Sequence, residues 1–189
     1  MAVVDPVSPE QAPLLARPFY AGGDPGPIAG TLAHVPELLE LALPFLGAVL
    51  SPSSIPFRTK EIVILRTSCV MACRYCIDSH TPVALDAGLT VAQTRALRDE
   101  PGYTVHDAFP DPRERVLVAW TDEVAGGKSP ASDAATEALR AEYADHEIVE
   151  LTLLASVTVL LNRYASTLRL PVAPATIDRL VVEGFARAA

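Results

Sequence analysis

The chain has 189 residues, half of them hydrophobic and 20% charged, which is long and apolar enough to bury a core and too apolar for a disordered chain. Its formal net charge of -8 excludes a basic nucleic-acid face and argues against binding to an anionic membrane. All three cysteines fall between positions 69 and 76, which is no distributed disulfide framework and suggests a reducing cytoplasm.

Residues 1–30 are rich in proline and glycine and are expected to form an irregular arm with little helix. Such an arm either wraps its own domain or reaches a neighbouring subunit. It has neither a basic segment nor an apolar core, so a secretory signal is not expected. Residues 31–189 form the remaining domain.

Helical periodicity begins near Pro36, with Leu38, Leu39, Leu41, Ala42, Phe45, Leu46 and Val49 on a broad apolar face. Pro44 inside it is expected to kink or split the helix. Ser51 to Pro56 reads as a linker, and Thr59 as the N-cap of a helix carrying Ile62, Val63, Leu65 and Arg66. Gly88 ends a helix, and Thr90 caps a short one to Leu97. Residues 99–110 are expected as loop. Asp111-Pro112 is an acidic cap followed by proline at the first helical position, and that helix runs to Gly126-Gly127. Ser132 or Asp133 caps a helix ending near Tyr143, and Asp145 opens the longest one, to about Arg169. A last amphipathic helix carries Ile177, Leu180, Val181 and Phe185. The apolar run Leu151 to Leu161 is interrupted by Thr152, Ser156 and Thr158 and reads as too short to span a bilayer. Its valines make it the best strand candidate, but it lies in a longer helical pattern without bounding turns. The fold class is therefore all-α. Two similar halves, around 36–88 and 111–169, leave room for an internal duplication.

Chemistry concentrates in EIVILRTSCVMACRYCIDSH, from Glu61 to His80. Cys73-x-x-Cys76 places two thiols about one helical turn apart, within reach of a disulfide at a helix start. His80 follows Cys76 by four residues and shares its face if the segment is helical. An imidazole beside a thiol stabilises the reactive thiolate, and a helix N-terminus acts the same way. Each of these residues taken alone is more often structural, since cysteine packs as a small hydrophobe and Glu61 suits a helix N-terminus. Zinc held by Cys69, Cys73, Cys76 and His80 needs a break after Cys69, because one unbroken helix spreads them over roughly 16 Å. The Cys69-x3-Cys73-x2-Cys76 spacing resembles the iron–sulfur motif of radical S-adenosylmethionine enzymes, whose βα-barrel requires strands that this chain lacks. His34, His106 and His146 show no partner in the sequence. Trp120 reads as core, and Asn162-Arg163 as a polar break in the apolar helix.

The order Glu, eleven residues, Cys-x-x-Cys, three residues, His resembles the AhpD-like alkylhydroperoxidase branch of the carboxymuconolactone decarboxylase superfamily. Leu65-Arg66 after the glutamate, and Ala84, Leu85, Gly88 and Leu89 after the histidine, are similar to that family too, and the likeness covers roughly 35–97. The resemblance implies an AhpD-like helical domain and a peroxidase without metal or other cofactor. Cys76 would attack the peroxide, Cys73 would resolve the sulfenic acid, and Glu61 with His80 would relay protons. Tyr75 stands where family members often carry a second histidine. Cys69 lies outside the signature and reads as a buried packing residue. A dithiol donor such as a dihydrolipoyl or thioredoxin-like protein, and a homo-oligomer, are the implied partners. A lactone decarboxylase and a non-catalytic redox sensor are the alternatives, the first disfavoured by the cysteine pair.

Overall fold

The structure, a computed structural model, describes residues 1–127 and 130–185. It is all-α, with no β-strand among the described residues. Two 3-10 turns, Pro9–Gln11 and Leu14–Tyr20, precede ten α-helices: α1 (Pro27–Leu32), α2 (Pro36–Leu50), α3 (Phe57–Val70), α4 (Arg74–Asp86), α5 (Val91–Leu97), α6 (Val105–Ala108), α7 (Pro112–Ala125), α8 (Asp133–Glu142), α9 (Asp145–Leu168) and α10 (Pro174–Val182).

Helix α3 is the central strut and packs on α4, α7 and α9. Its residues Lys60 to Leu65, with Thr67 and Ser68, are buried, so it is enclosed nearly all round. Ile62, Val63, Ile64 and Leu65 meet Leu117 and Val118 of α7 and Leu151, Leu154 and Ala155 of α9 in one core. By length and composition α9 is apolar enough to cross a membrane, which extends the apolar run beyond the expected Leu151 to Leu161. In this fold it is a core helix, with Leu151, Leu154, Val157, Thr158 and Ala165 turned inward.

One lysine of the core, Lys60, is fully enclosed. Lys60 Nζ donates to the carbonyls of Val49 (2.8 Å) and Ser51 (2.6 Å) and pairs with Glu150 (2.7 Å). It thereby caps the C-terminus of α2, whose last carbonyls lack helical partners, and ties that end to α9.

Several boundaries differ from the sequence reading. Helix α3 starts at Phe57, with Pro56 and not Thr59 at its N-cap, because Lys60 N–H already closes on the Pro56 carbonyl at 3.2 Å. Pro44 does not split α2: it faces solvent while Leu39 and Leu46 anchor the helix on either side. The loop 99–110 contains α6, capped by Thr104. Phe185 lies beyond α10, buried beside the guanidinium groups of Arg95 and Arg98. Trp120 is only partly buried, and its Nε1 donates to Thr152 Oγ1 at 3.2 Å.

The N-terminal arm holds more helix than expected, and it wraps its own domain. Val3 N–H reaches the Leu168 carbonyl, Val7 N–H the Gly30 carbonyl, and the Tyr20 hydroxyl the Val7 carbonyl, each at 2.9–3.0 Å. Its Ala12, Ala16 and Tyr20 join Ala29, Ala33 and Leu39 in a second apolar cluster. His34 is fixed to the same arm through the Asp5 carbonyl at 2.9 Å. At Gly30 the arm approaches so closely that a Cβ would stand 2.7 Å from Pro6. The arm thus delivers α1, and with it Ile28, to the cysteines.

Candidate active site

The site is built on the reversal between α3 and α4. Met71 N–H bonds to the Thr67 carbonyl, Ala72 N–H to Cys69, and Cys73 N–H to Ser68 (3.0, 2.9 and 3.0 Å). This turn needs a left-handed residue, and the chain places Ala72 there, at φ 51°. A non-glycine residue in that region carries strain of about 1–2 kcal/mol. The reversal makes Cys73 the N-cap of α4, with its sulfur accepting the Cys76 N–H at 3.3 Å. The two sulfurs lie 2.6 Å apart, as free thiols in hydrogen-bond contact.

The two thiols are not equivalent. The hydrogen bond between the two sulfurs lowers Cys73 and outweighs its burial. Ser166, the Cys76 backbone N–H and nearby His80 add to it, and together they pull Cys73 down to about 6. Cys76 is pushed well above the usual thiol range by its bond to Cys73, by burial and by the charge on Cys73. The pair therefore gives up its first proton more readily than an isolated thiol and its second less readily.

Glu61 and His80 are brought together from α3 and α4. Glu61 is 1% exposed, and its Oε2 stands 3.0 Å from His80 Nδ1. That contact occupies Nδ1 and leaves Nε2 as the ring nitrogen free for a thiol or substrate. Beside them is a cavity of about 70 Å³ lined by Cys76, His80, Tyr75, Ser79, Ser68 and Ile28, with Leu50, Ile64, Thr158 and Leu161 completing its wall. Cys76 lines it; Cys73, fully buried, is not among its lining residues. Burial, followed by repulsion from the cysteine pair, pushes the Tyr75 phenol up to about 12, so it stays protonated at neutral pH. Tyr75 is therefore a hydrogen-bonding group and not a base.

Four of the five expected site residues, Cys76, His80, Glu61 and Tyr75, meet directly around this cavity or through Nδ1, and Cys73 stands behind Cys76. Cys69 does not join them. It is half-buried and not fully enclosed as expected, and its thiol contacts Asp99 Oδ2 at 3.6 Å. Burial and Asp99 raise it to about 11. The helix does break between Cys69 and Cys73, as a zinc site would need, but Cys69 faces Asp99. Among the described residues no group of three or more His, Cys, Asp or Glu is placed to hold a metal.

Sequence reasoning missed the contributions from distant segments. Ser166, in the last turn of α9, is one of the groups that lower Cys73. Ile28 comes from the arm, and Thr158 and Leu161 from α9. Ala165 and Leu170 pack with both cysteines. Only the inward-facing period of α9 could have pointed to these residues.

Comparison with known proteins agrees with this geometry. Residues 36–123, which hold the whole of the Glu61 to His80 segment, match the carboxymuconolactone decarboxylase family. No curated protein matches the chain by sequence. Among solved structures, the chain resembles an AhpD candidate for antioxidant defence from Agrobacterium tumefaciens at 27% identity and TM-score 0.65, covering 76% of this chain and 95% of that one. A peroxidase-related protein from Silicibacter sp. TM1040 has the same fold at 16% identity and TM-score 0.78, covering 93% of each chain. The debrominase Bmp8 shares it at 18% identity and TM-score 0.72, covering 95% of this chain and 96% of that one. The chain thus carries a segment that matches the carboxymuconolactone decarboxylase family, residues 36–123, within an all-helical AhpD-like architecture.

Proposed function

We propose that the chain is a thiol-dependent peroxidase that reduces an alkyl hydroperoxide or hydrogen peroxide by closing and reopening the Cys73–Cys76 pair. One observation carries this reading: the sulfurs lie 2.6 Å apart, and the one that lines the cavity shares it with a histidine held by a buried carboxylate.

In this mechanism the peroxide occupies the small cavity. His80 Nε2 takes the proton of Cys76, and Glu61 faces the positive charge that forms on the ring. Cys76 Sγ attacks one peroxide oxygen and the O–O bond breaks. The leaving alkoxide or hydroxide takes the proton back from His80, with the Tyr75 phenol as a further donor. Cys76 is now a sulfenic acid. The Cys73 thiolate attacks Cys76 Sγ, the S–O bond breaks, and the departing hydroxide takes a proton from solvent to leave as water. The sulfurs have well under 1 Å to travel to a bond of about 2.05 Å, so resolution needs little rearrangement. A dithiol donor such as a dihydrolipoyl or thioredoxin-like protein then reopens the pair in a reducing cytoplasm. Exposed Leu38, Leu41 and Phe45 on α2, and Val149, Leu153 and Leu160 on α9, support a homo-oligomer as the working form.

The test is peroxide consumption with dithiothreitol as the reductant. Cys76→Ser is expected to abolish it, Cys73→Ser to stop it after one event per chain, and Cys69→Ser to leave it unchanged. Full consumption by Cys76→Ser refutes the assignment. Reversible disulfide formation without turnover favours a redox sensor.

A further inference from the structure

We infer that Tyr75 is a partition that sets the size of the peroxide: with its ring in place, Cys76 receives hydrogen peroxide and excludes bulky organic hydroperoxides. This deepens the peroxidase reading above and rests on it for the reaction. The cavity at Cys76 measures only about 70 Å³. A second cavity, of about 640 Å³ and thus the size of a small-molecule site, is lined by Ala72, Arg74, Ser166 and Leu170 among others, and none of the three cysteines lines it. Tyr75 alone among the described residues lines both.

The cavity at Cys76 is too small for an organic hydroperoxide. A cavity of about 150 Å³ holds a benzene ring, more than twice the space available here. The compound tert-butyl hydroperoxide has as many heavy atoms as benzene, and cumene hydroperoxide carries a phenyl ring besides. Hydrogen peroxide has only its two oxygens. Cys76 is 6% exposed, so its sulfur is met inside this cavity and not from the open surface. The partition is also held in place. Tyr75 lies in the first turn of α4, directly before Cys76, so the backbone that fixes the sulfur fixes the ring. That ring packs on the cluster of Cys73, Cys76, Ala165 and Leu170. Removing it joins the small cavity to the large one and makes room for an alkyl or aryl group beside the reacting sulfur.

The chemistry at the sulfur is the same for either peroxide. Cys76 Sγ takes one oxygen, the O–O bond breaks, and the second oxygen leaves with the proton that His80 took from Cys76. It departs as water from hydrogen peroxide and as an alcohol from an organic hydroperoxide. The sulfur gives up two electrons and the peroxide gains them. The ring decides only which group can stand behind the second oxygen.

The test reads rate ratios, because loss of the phenol as a donor falls on both peroxides. The reduced full chain is mixed with hydrogen peroxide or cumene hydroperoxide by stopped flow, as wild type, Tyr75→Ala and Tyr75→Phe. Tyr75→Ala is expected to shift the ratio towards cumene hydroperoxide by about tenfold, and Tyr75→Phe, which keeps the ring, to hold it within about twofold. A second arm needs no peroxide. In a Cys69→Ser/Cys73→Ser background Cys76 is the only thiol, and it is titrated with methyl methanethiosulfonate and with benzyl methanethiosulfonate. The benzyl-to-methyl ratio is expected to rise about tenfold with Tyr75→Ala and to hold with Tyr75→Phe. Tyr75→Leu, with thermal unfolding as the control, is expected to move both ratios the same way and stands in if Tyr75→Ala does not fold. A wild type that takes cumene hydroperoxide as fast as hydrogen peroxide, a thiosulfonate ratio that neither Tyr75→Ala nor Tyr75→Leu moves, or one that Tyr75→Phe moves equally overturns the inference. A chain inert to both peroxides whose thiosulfonate ratio shifts as expected supports the partition and refutes only the peroxidase reading.

Discussion

Replacing Glu61 with glutamine isolates the role of charge in the relay. The side chain is 1% exposed and 3.0 Å from His80 Nδ1, and glutamine keeps its volume and an oxygen able to accept from that nitrogen. The ring therefore stays in place, and what is lost is the negative charge facing it when it takes the Cys76 proton. Two unit charges about 4 Å apart at an effective dielectric of about 20 attract by about 4 kcal/mol, of which part is recovered by the amide dipole. A loss of about 3 kcal/mol in the proton-transfer step slows it by about 100-fold. The assay is stopped-flow oxidation of the reduced protein by peroxide, with thermal unfolding as a control that is expected to move little. Glu61→Gln reacting within about threefold of wild type, with its fold intact, would refute the relay.

Three further outcomes follow from the buried polar groups. The Cys73 thiol is drawn down to about 6 when folded, against about 8.5 in an unfolded chain, so the folded state binds fewer protons between those values. Its contribution to stability is full above about 8.5 and is lost as pH falls through 6, while Cys76, pushed up, acts oppositely only at higher pH. Urea unfolding under reducing conditions should show a larger gap between wild type and Cys73→Ser at pH 8 than at pH 5.5; a gap that is constant or larger in acid contradicts this. Lys60→Met leaves the Val49 and Ser51 carbonyls without their side-chain donor and Glu150 without its cation, and is expected to destabilise by about 3 kcal/mol, lowering Tm by about 8 °C. An unchanged Tm refutes the capping role of Lys60. Asn162 is 1% exposed, with neither Oδ1 nor Nδ2 hydrogen-bonded, so Asn162→Leu is expected to stabilise by about 1 kcal/mol, and a fall in Tm contradicts that.

The helices were legible because their signals are local. Asp111-Pro112 opens α7 as expected, with the Asp111 side chain accepting from Arg113 N–H at 2.9 Å, and Thr90 with Gln93 forms a capping box at α5. The meeting of Glu61 and His80 was implied only by the resemblance to the AhpD-like branch that their spacing carries. Thr59 misled because it is a good cap in the wrong place: proline at position 56 sets the extended entry, and the helix begins straight after it. Ala72 gave no turn signal, since alanine does not advertise a left-handed backbone. Ser166 and Ile28 were illegible for a different reason. They reach the cysteines from about 90 residues downstream and 45 upstream, through packing of α9 and of an arm whose proline and glycine content suggested only loop.

The account rests on Cys73 and Cys76 closing on each other when peroxide arrives. Mass analysis of the fully reduced chain after one equivalent of peroxide tests this most directly, with peptides mapped to separate Cys69 from the pair. The account predicts loss of two hydrogens per chain, confined to a Cys73–Cys76 disulfide, with Cys69 still free, and a stable sulfenic acid at Cys76 in Cys73→Ser. Thiols left untouched, a bond involving Cys69, or a sulfenic acid on Cys73 would contradict it.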